Sequence, residues 1–346
     1  MYHRGVEISA SARIVGCLVG GAVGDALGAS VEFDSYEAIV QKHGAAGIVD
    51  PAPAYGHPCP ITDDTQMTLF TAEGLLRAAV AGAADPTVAI HRAYLRWLHT
   101  QGCRSEHPDF DDALDGWLVR EPGLHSARAP GNTCIGGLTR PRMGTPDAPL
   151  NDSKGCGGVM RIAPIGLVCA QPGPLAARAC ALSHGHPSGW RAGYALAEIL
   201  GRQMRGESVR EAACAVVDDP TIEGEVADAL RAAIELGVRT RPPTVAAVAS
   251  LGEGWVAEEA LAIAVYCVLA SDDLATAVRA AVNHGGDSDS TGSIAGQLAG
   301  AQWGERAIPR AWRDALELRE VVQTLAQDLF SLRSDVTPTS RRYPAG

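Results

Sequence analysis

Glycine recurs at every fourth position in two apolar stretches at opposite ends of the chain. The first holds Gly16, Gly20, Gly24 and Gly28 within "GCLVGGAVGDALGAS". The second holds Gly292, Gly296 and Gly300 within "STGSIAGQLAG". Spacing of four puts residues on one face of a helix. An interior glycine costs a helix about 1 kcal/mol relative to alanine, so seven of them need a reason. Close approach of another helix backbone supplies one. Flexible loops would not keep apolar residues between the glycines. The pattern therefore predicts two buried helices packed tightly together.

The rest of the chain reads as helix too. Alanine is abundant, β-branched runs are scarce and aromatics make up only 5% of the 346 residues, which favours helix over sheet. The first glycine helix is expected over 10–29. Further helices are expected at 64–82, 86–100, 109–119, 174–183, 188–204, 222–237, 257–270, 272–282 and 311–332, several preceded by Asp, Ser or Thr as caps. Loops are expected at 44–62, 120–155 and 238–243. The 120–155 loop is long enough to expect a function. No repeat, heptad run or linker breaks the pattern. One compact all-α domain is expected over 1–346, with its core at about 10–333 and a flexible tail at 334–346.

Charge narrows the function. Twenty-nine basic against 40 acidic residues give a formal charge of −11, a poor balance for general nucleic-acid binding. Nine cysteines without a CxxC pair form neither a disulfide framework nor a zinc ribbon. They read as small buried thiols in a reducing cytoplasm. The start "MYHRGVEISA" lacks the apolar core of a signal peptide. No run reaches membrane-spanning length without a charge, because Asp25 interrupts the first glycine stretch.

Two acidic clusters stand beside the predicted helices. "TDDT" carries Thr62, Asp63 and Asp64; "DSDS" carries Asp287, Asp289 and Ser290. Helix capping explains one acid per cluster, not two with flanking hydroxyls. D-x-D-x-T-G opens like a calcium loop, but position twelve is Leu298 where a bidentate Glu belongs. Hard oxygen ligands at helix ends suit Mg²⁺ or Mn²⁺. Both clusters read as halves of one metal site, with Glu32 at the end of the first glycine helix as a third contributor.

These residues together resemble the ADP-ribosylglycohydrolase family. The resemblance rests on "GCLVGGAVGDALGASVEF" at 16–33, "TDDTQMTL" at 62–69, "SKGCGGVMRIAP" at 153–164, "SHGHPSGW" at 183–190 and "GGDSDSTGSIAGQLAG" at 285–300, in that order along most of the chain. It implies an all-α orthogonal helical bundle with two divalent cations, Mg²⁺ or Mn²⁺. It assigns Thr62, Asp63, Asp64, Asp287, Asp289 and Ser290 as ligands, and Glu32 and Asp64 as candidates for proton transfer. Ser153, Gly155, Cys156, Gly157, Gly158 and Met160 would lie along the ADP-ribose loop, where many members carry Asn in place of Cys156. Backbone N–H groups there can hold a pyrophosphate without positive side chains. Asn132, His184, His186 and Gly286 would complete the substrate site. An HxH pair alone, with no third ligand nearby, does not make a zinc site.

The implied reaction cuts the N- or O-glycosidic bond between the ribose anomeric carbon of ADP-ribose and an acceptor, an arginine guanidinium above all or else a side-chain oxygen, on a modified protein or a small ADP-ribosyl substrate. Asp109, Asp111, Asp112 and Asp115 in "EHPDFDDALDGW" are further candidates for the acid. Two alternatives stay open: a non-catalytic ADP-ribose-binding or toxin-neutralising protein, and a hydrolase of another nucleotide-type substrate. No membrane partner is expected, and nothing in the sequence sets the oligomeric state.

Overall fold

The computed structural model describes residues 8–344, so most of the "MYHRGVEISA" stretch read above for a signal peptide lies outside the described residues. The described residues form helices and connecting turns with no β-strand, only two isolated bridges at Ala54–His57 and Gly155–Val256. The two glycine stretches form helices Ala10–Gly28 and Ser288–Trp303. They run antiparallel, with Gly16 against Gly300, Gly20 against Gly296, Gly24 against Gly292 and Gly28 against Ser288. A Cβ built on Gly292 would stand 2.5 Å from the carbonyl oxygen of Gly24. Backbone meets backbone along the whole seam, which only glycine permits. The Ala10–Gly28 helix is long and apolar enough to cross a bilayer by length and composition, but it is mostly buried inside the fold.

The seam determines where the acids go. Its antiparallel register brings the C-terminus of the first helix to the N-terminus of the second, so Glu32, just past the first, meets Asp287 and Asp289 at the start of the second. Asp25 sits in the last turn of the first helix, fully buried. It accepts hydrogen bonds from the N–H groups of Thr62 (3.0 Å) and Thr65 (3.1 Å) and from both their hydroxyls. That ties the start of helix Asp63–Ala81 to the glycine seam. The charge that marked the first stretch as a poor membrane span is thus an external cap on the third element of the site.

Helices Thr87–Thr100, Pro187–Gln203, Glu225–Arg239, Ala257–Leu269 and Leu274–Val282 follow the expected segments closely. Elsewhere the structure differs. The 109–119 segment is α-helical only over Phe110–Ala113, because Gly116 turns the chain at φ +98° before a short 3-10 turn at Leu118–Arg120. The C-terminal segment is two helices, Arg310–Ala315 and Arg319–Arg333, parted by Leu318 at φ +52°. Short helices Tyr36–His43, Ala163–Val168, Val209–Val217 and Val245–Ala249 were not expected, and Asn132–Leu138 lies within the expected 120–155 loop. Within the segment expected as a tail, Tyr343 is fully buried and donates to Asp328 Oδ2 at 2.5 Å.

Candidate functional site

The ends of four helices and the connecting segments around them enclose a cleft of about 450 Å³. One wall is acidic: Glu32, Asp63, Asp64, Asp287 and Asp289 all line it, together with Ser290. The two sequence-distant clusters touch, since the Ser290 hydroxyl donates to Asp64 Oδ2 at 3.3 Å. Carboxylate oxygens of Glu32, Asp287 and Asp289 lie within 4.8 Å of one another. The rest of the lining is backbone and small side chains, Gly131, Asn132, Thr133, Cys134, Gly155, Cys156 and Gly157, together with Met160 and His184. Among the described residues, no Lys or Arg lines the cleft.

Five acids in one buried wall cannot all remain anionic without counter-charge. Burial, then the charge of Asp289, raises Asp25 to about 7 and Glu32 to about 11. Asp63, Asp64 and Asp289 are also raised, first by burial and then by neighbouring carboxylates. Two of these oxygens, Glu32 Oε2 and Asp64 Oδ1, are buried with no hydrogen-bond partner. An unpartnered buried carboxylate oxygen is costly. A cluster of hard oxygen donors with orphaned lone pairs fits divalent cations.

The linkage has a definite sign. An acid whose pKa is higher when folded than when unfolded takes up protons on folding, so stability falls as pH rises between the two values. For Asp25 that window runs from its ordinary 3.8 to about 7, and for Glu32 from 4.5 upward to about 11. In chelator, the unfolding midpoint is expected to drop as pH rises from about 5 to 8. Millimolar Mn²⁺ is expected to flatten that slope. Thermal unfolding at several pH values, with and without Mn²⁺, reads both.

Some expected site residues hold the cleft from behind. Thr62 gives its hydroxyl to Asp25 at 2.8 Å and receives the Asp64 N–H at 3.3 Å. Ser153 braces the glycine turn, pairing with the Thr133 hydroxyl at 3.1 Å and accepting from Gly155 N–H at 3.4 Å. Gly158 packs on Cys180 and His184. Gly286 lets the backbone of Glu253 approach, so that the Asp287 N–H reaches the Glu253 carbonyl at 2.8 Å. The two histidines diverge. His184 lies under the cleft, held neutral with its pKa near 3 by burial and then by Arg161. His186 caps the Pro187–Gln203 helix through the Ser188 N–H.

The 106–117 acids are not brought to the cleft. Asp115 pairs with Arg77 at 2.6 Å, beside the buried Glu73–Arg96 ion pair, and Asp111 pairs with Arg104 at the surface. Neither Asp109 nor Asp112 lines the cleft.

Sequence reasoning missed four contributors. Asp25 positions the TDDT helix, and its signal was a lone acid inside an apolar helix. Gly131 donates its N–H to Asp63 Oδ2 at 3.1 Å. Phe33 and Trp255 stack at the mouth, 6.0 Å between centroids and 18° between planes. Trp255 comes from a loop remote in sequence and carries no local signal. Its carbonyl accepts the Cys156 N–H at 3.2 Å, which joins the mouth to the glycine turn.

Residues 7–338 match the family model described as ADP-ribosylglycohydrolase. The chain belongs to the ADP-ribosylglycohydrolase family. The ADP-ribosyl-[dinitrogen reductase] glycohydrolase of Rhodospirillum rubrum is 27% identical over 89% of this chain and 91% of that protein. The ADP-ribosylarginine hydrolase Tri1 of Serratia proteamaculans is 38% identical, over 21% of this chain and 20% of that protein. Among solved structures, an ADP-ribosylglycohydrolase-related protein complex aligns with TM-score 0.63 and 30% identity, covering 94% of this chain and 99% of the other. The all-α architecture expected from the resemblance is therefore the one observed. As a member of the ADP-ribosylglycohydrolase family, the chain is a hydrolase of ADP-ribose linkages.

Proposed function

We propose that the protein removes ADP-ribose from arginine side chains of modified proteins, using two Mg²⁺ or Mn²⁺ ions held by Asp63, Asp64, Asp287, Asp289 and Ser290, with Thr62 bracing them from behind. The observation that carries this reading is the meeting of the two acidic clusters across Ser290 and Asp64. The orphaned oxygens of Glu32 and Asp64 support it. An acidic cleft without basic lining residues also favours a cationic acceptor such as a guanidinium. The Serratia proteamaculans relative is named as a hydrolase of the same linkage, ADP-ribosylarginine.

When bound, the cations supply Lewis-acid polarisation and orientation of the ribose hydroxyls. The chain's own residues do the rest. We assign the pyrophosphate to the backbone of the glycine turn at Gly157, where N–H groups can hold it without lysine or arginine. We assign the proton transfer to Glu32, which lines the cleft beside Asp287 and Asp289. Its carboxyl donates to the departing guanidine nitrogen as the anomeric C–N bond breaks. Its carboxylate then accepts a proton from the water whose oxygen bonds to that carbon. Asp64 is the second candidate for this task. The free cysteines fit a reducing compartment, and we place the enzyme in the cytoplasm.

Release of free ADP-ribose, followed by chromatography with mass detection, tests the reading. Arginine-linked substrate is expected to be turned over with Mg²⁺ or Mn²⁺ and not with chelator. Release from serine-linked substrate alone would contradict the arginine assignment. Binding of ADP-ribose with no release from any substrate would contradict catalysis.

A further inference from the structure

The acidic wall has a sulfur corner. The Cys156 thiol lies 2.7 Å from Asp287 Oδ2, and both residues line the cleft. The Ser290 hydroxyl is 3.5 Å from Cys156 Sγ, 3.8 Å from Met160 Sδ and 3.3 Å from Asp64 Oδ2. One thiol, one thioether and one carboxylate therefore surround a single hydroxyl, and the Asp287 carboxylate stands on the thiol. The other oxygen of Asp64, which is 2% exposed, is buried without a hydrogen-bond partner. A pure oxygen shell selects hard cations, whereas a thiol with a thioether beside carboxylates adds affinity for softer, thiophilic ones.

We propose that Cys156, with Met160, Asp287 and Asp64, makes this edge of the cleft a capture site for a thiophilic divalent cation of the Zn²⁺ class, which competes with the hard cations of the oxygen wall. The proposal rests on the reading that the acidic wall binds divalent cations. Binding replaces the Cys156 S–H proton by a metal–sulfur bond and releases that proton to solvent. No oxidant or other reactant takes part. Cys134 also lines the cleft, but its sulfur faces the Gly157 carbonyl and Arg161 rather than the carboxylates.

Cadmium serves as the probe, because a cadmium–thiolate bond adds an ultraviolet charge-transfer band. The full chain, stripped with chelator, is titrated with Cd²⁺ and in parallel with Mn²⁺ by calorimetry. The parent and a Cys214→Ser control, altered at the exposed cysteine, are expected to show the band, and Zn²⁺ is expected to abolish it. Cys156→Ser is expected to lose the band and roughly tenfold or more in Cd²⁺ affinity, while keeping Mn²⁺ affinity within a factor of about 2. A band that survives in Cys156→Ser, or a parent that binds Mn²⁺ without any band on Cd²⁺ addition, overturns the proposal and leaves the oxygen site standing. A parent that binds neither cation overturns both. The readouts do not use turnover, so a failure to release ADP-ribose bears on the reaction and not on this site.

Discussion

Replacing Asp287 and Asp289 together by alanine is expected to lower ADP-ribose release by about 10³-fold or more, with helical content unchanged. The loss follows from the several kcal/mol of transition-state stabilisation that a bound cation provides, about 4 kcal/mol being three decades in rate. Stability is expected to move differently. Alanine at 287 removes the cap on Ser290 N–H, worth ~1 kcal/mol. The same change removes the repulsion from Asp287 and Asp289 that raises the pKa values of Glu32 and Asp64 in the parent. In chelator the double variant should therefore unfold no earlier than the parent. With saturating Mn²⁺ the parent should be the more stable of the two, because only it gains the binding free energy. Turnover assays and thermal unfolding in both conditions check the pair of signs. Undiminished turnover would remove the metal site from the account.

The second large effect concerns the glycine seam. Gly296→Ala is expected to destabilise the fold by about 3 kcal/mol or more, even though alanine favours helix by ~1 kcal/mol. The added Cβ would lie 2.6 Å from the carbonyl carbon of Gly20 and 3.0 Å from Gly21 N. Backbone cannot swing aside like a side chain, so the two helices must separate. Separation also moves Glu32 away from Asp289, and Mn²⁺ affinity should fall with stability. Gly136 provides the contrast. It is an exposed helix residue whose added Cβ would meet nothing within 4 Å, so Gly136→Ala should leave the protein as stable or up to ~1 kcal/mol more stable. Urea denaturation of both variants measures the difference. Equal stabilities would mean that the seam is not close-packed.

Long patterned elements were legible because their chemistry repeats. Seven glycines at spacing four announced a helix pair, and the structure adds only its antiparallel register. The TDDT and DSDS clusters were legible because two acids at one helix start exceed what capping needs. Short helices were harder. Five to nine residues, as in Val245–Ala249 or Val209–Val217, barely complete two turns and show no period. One of them did carry a signal: Ser208 and Glu211 form a capping box, written in the sequence as "SVRE". The break at Leu318 was not legible, since a left-handed leucine has no compositional mark. In the site, residues whose neighbours are remote in sequence stayed hidden. Trp255 meets Phe33 only through the fold, and Asp25 is recognisable as a cap only once Thr62 and Thr65 stand beside it.

The central claim is that two acidic segments from opposite ends of the chain form one metal centre. Calorimetric titration of Mn²⁺ into the parent, Asp64→Asn and Asp289→Asn tests it most directly. Two Mn²⁺ ions are expected to bind the parent, and each single substitution is expected to weaken both binding events, because each acid stands in the same wall. If each variant instead lost one ion and kept the other at the parent's affinity, the segments would hold separate sites and the account would be wrong.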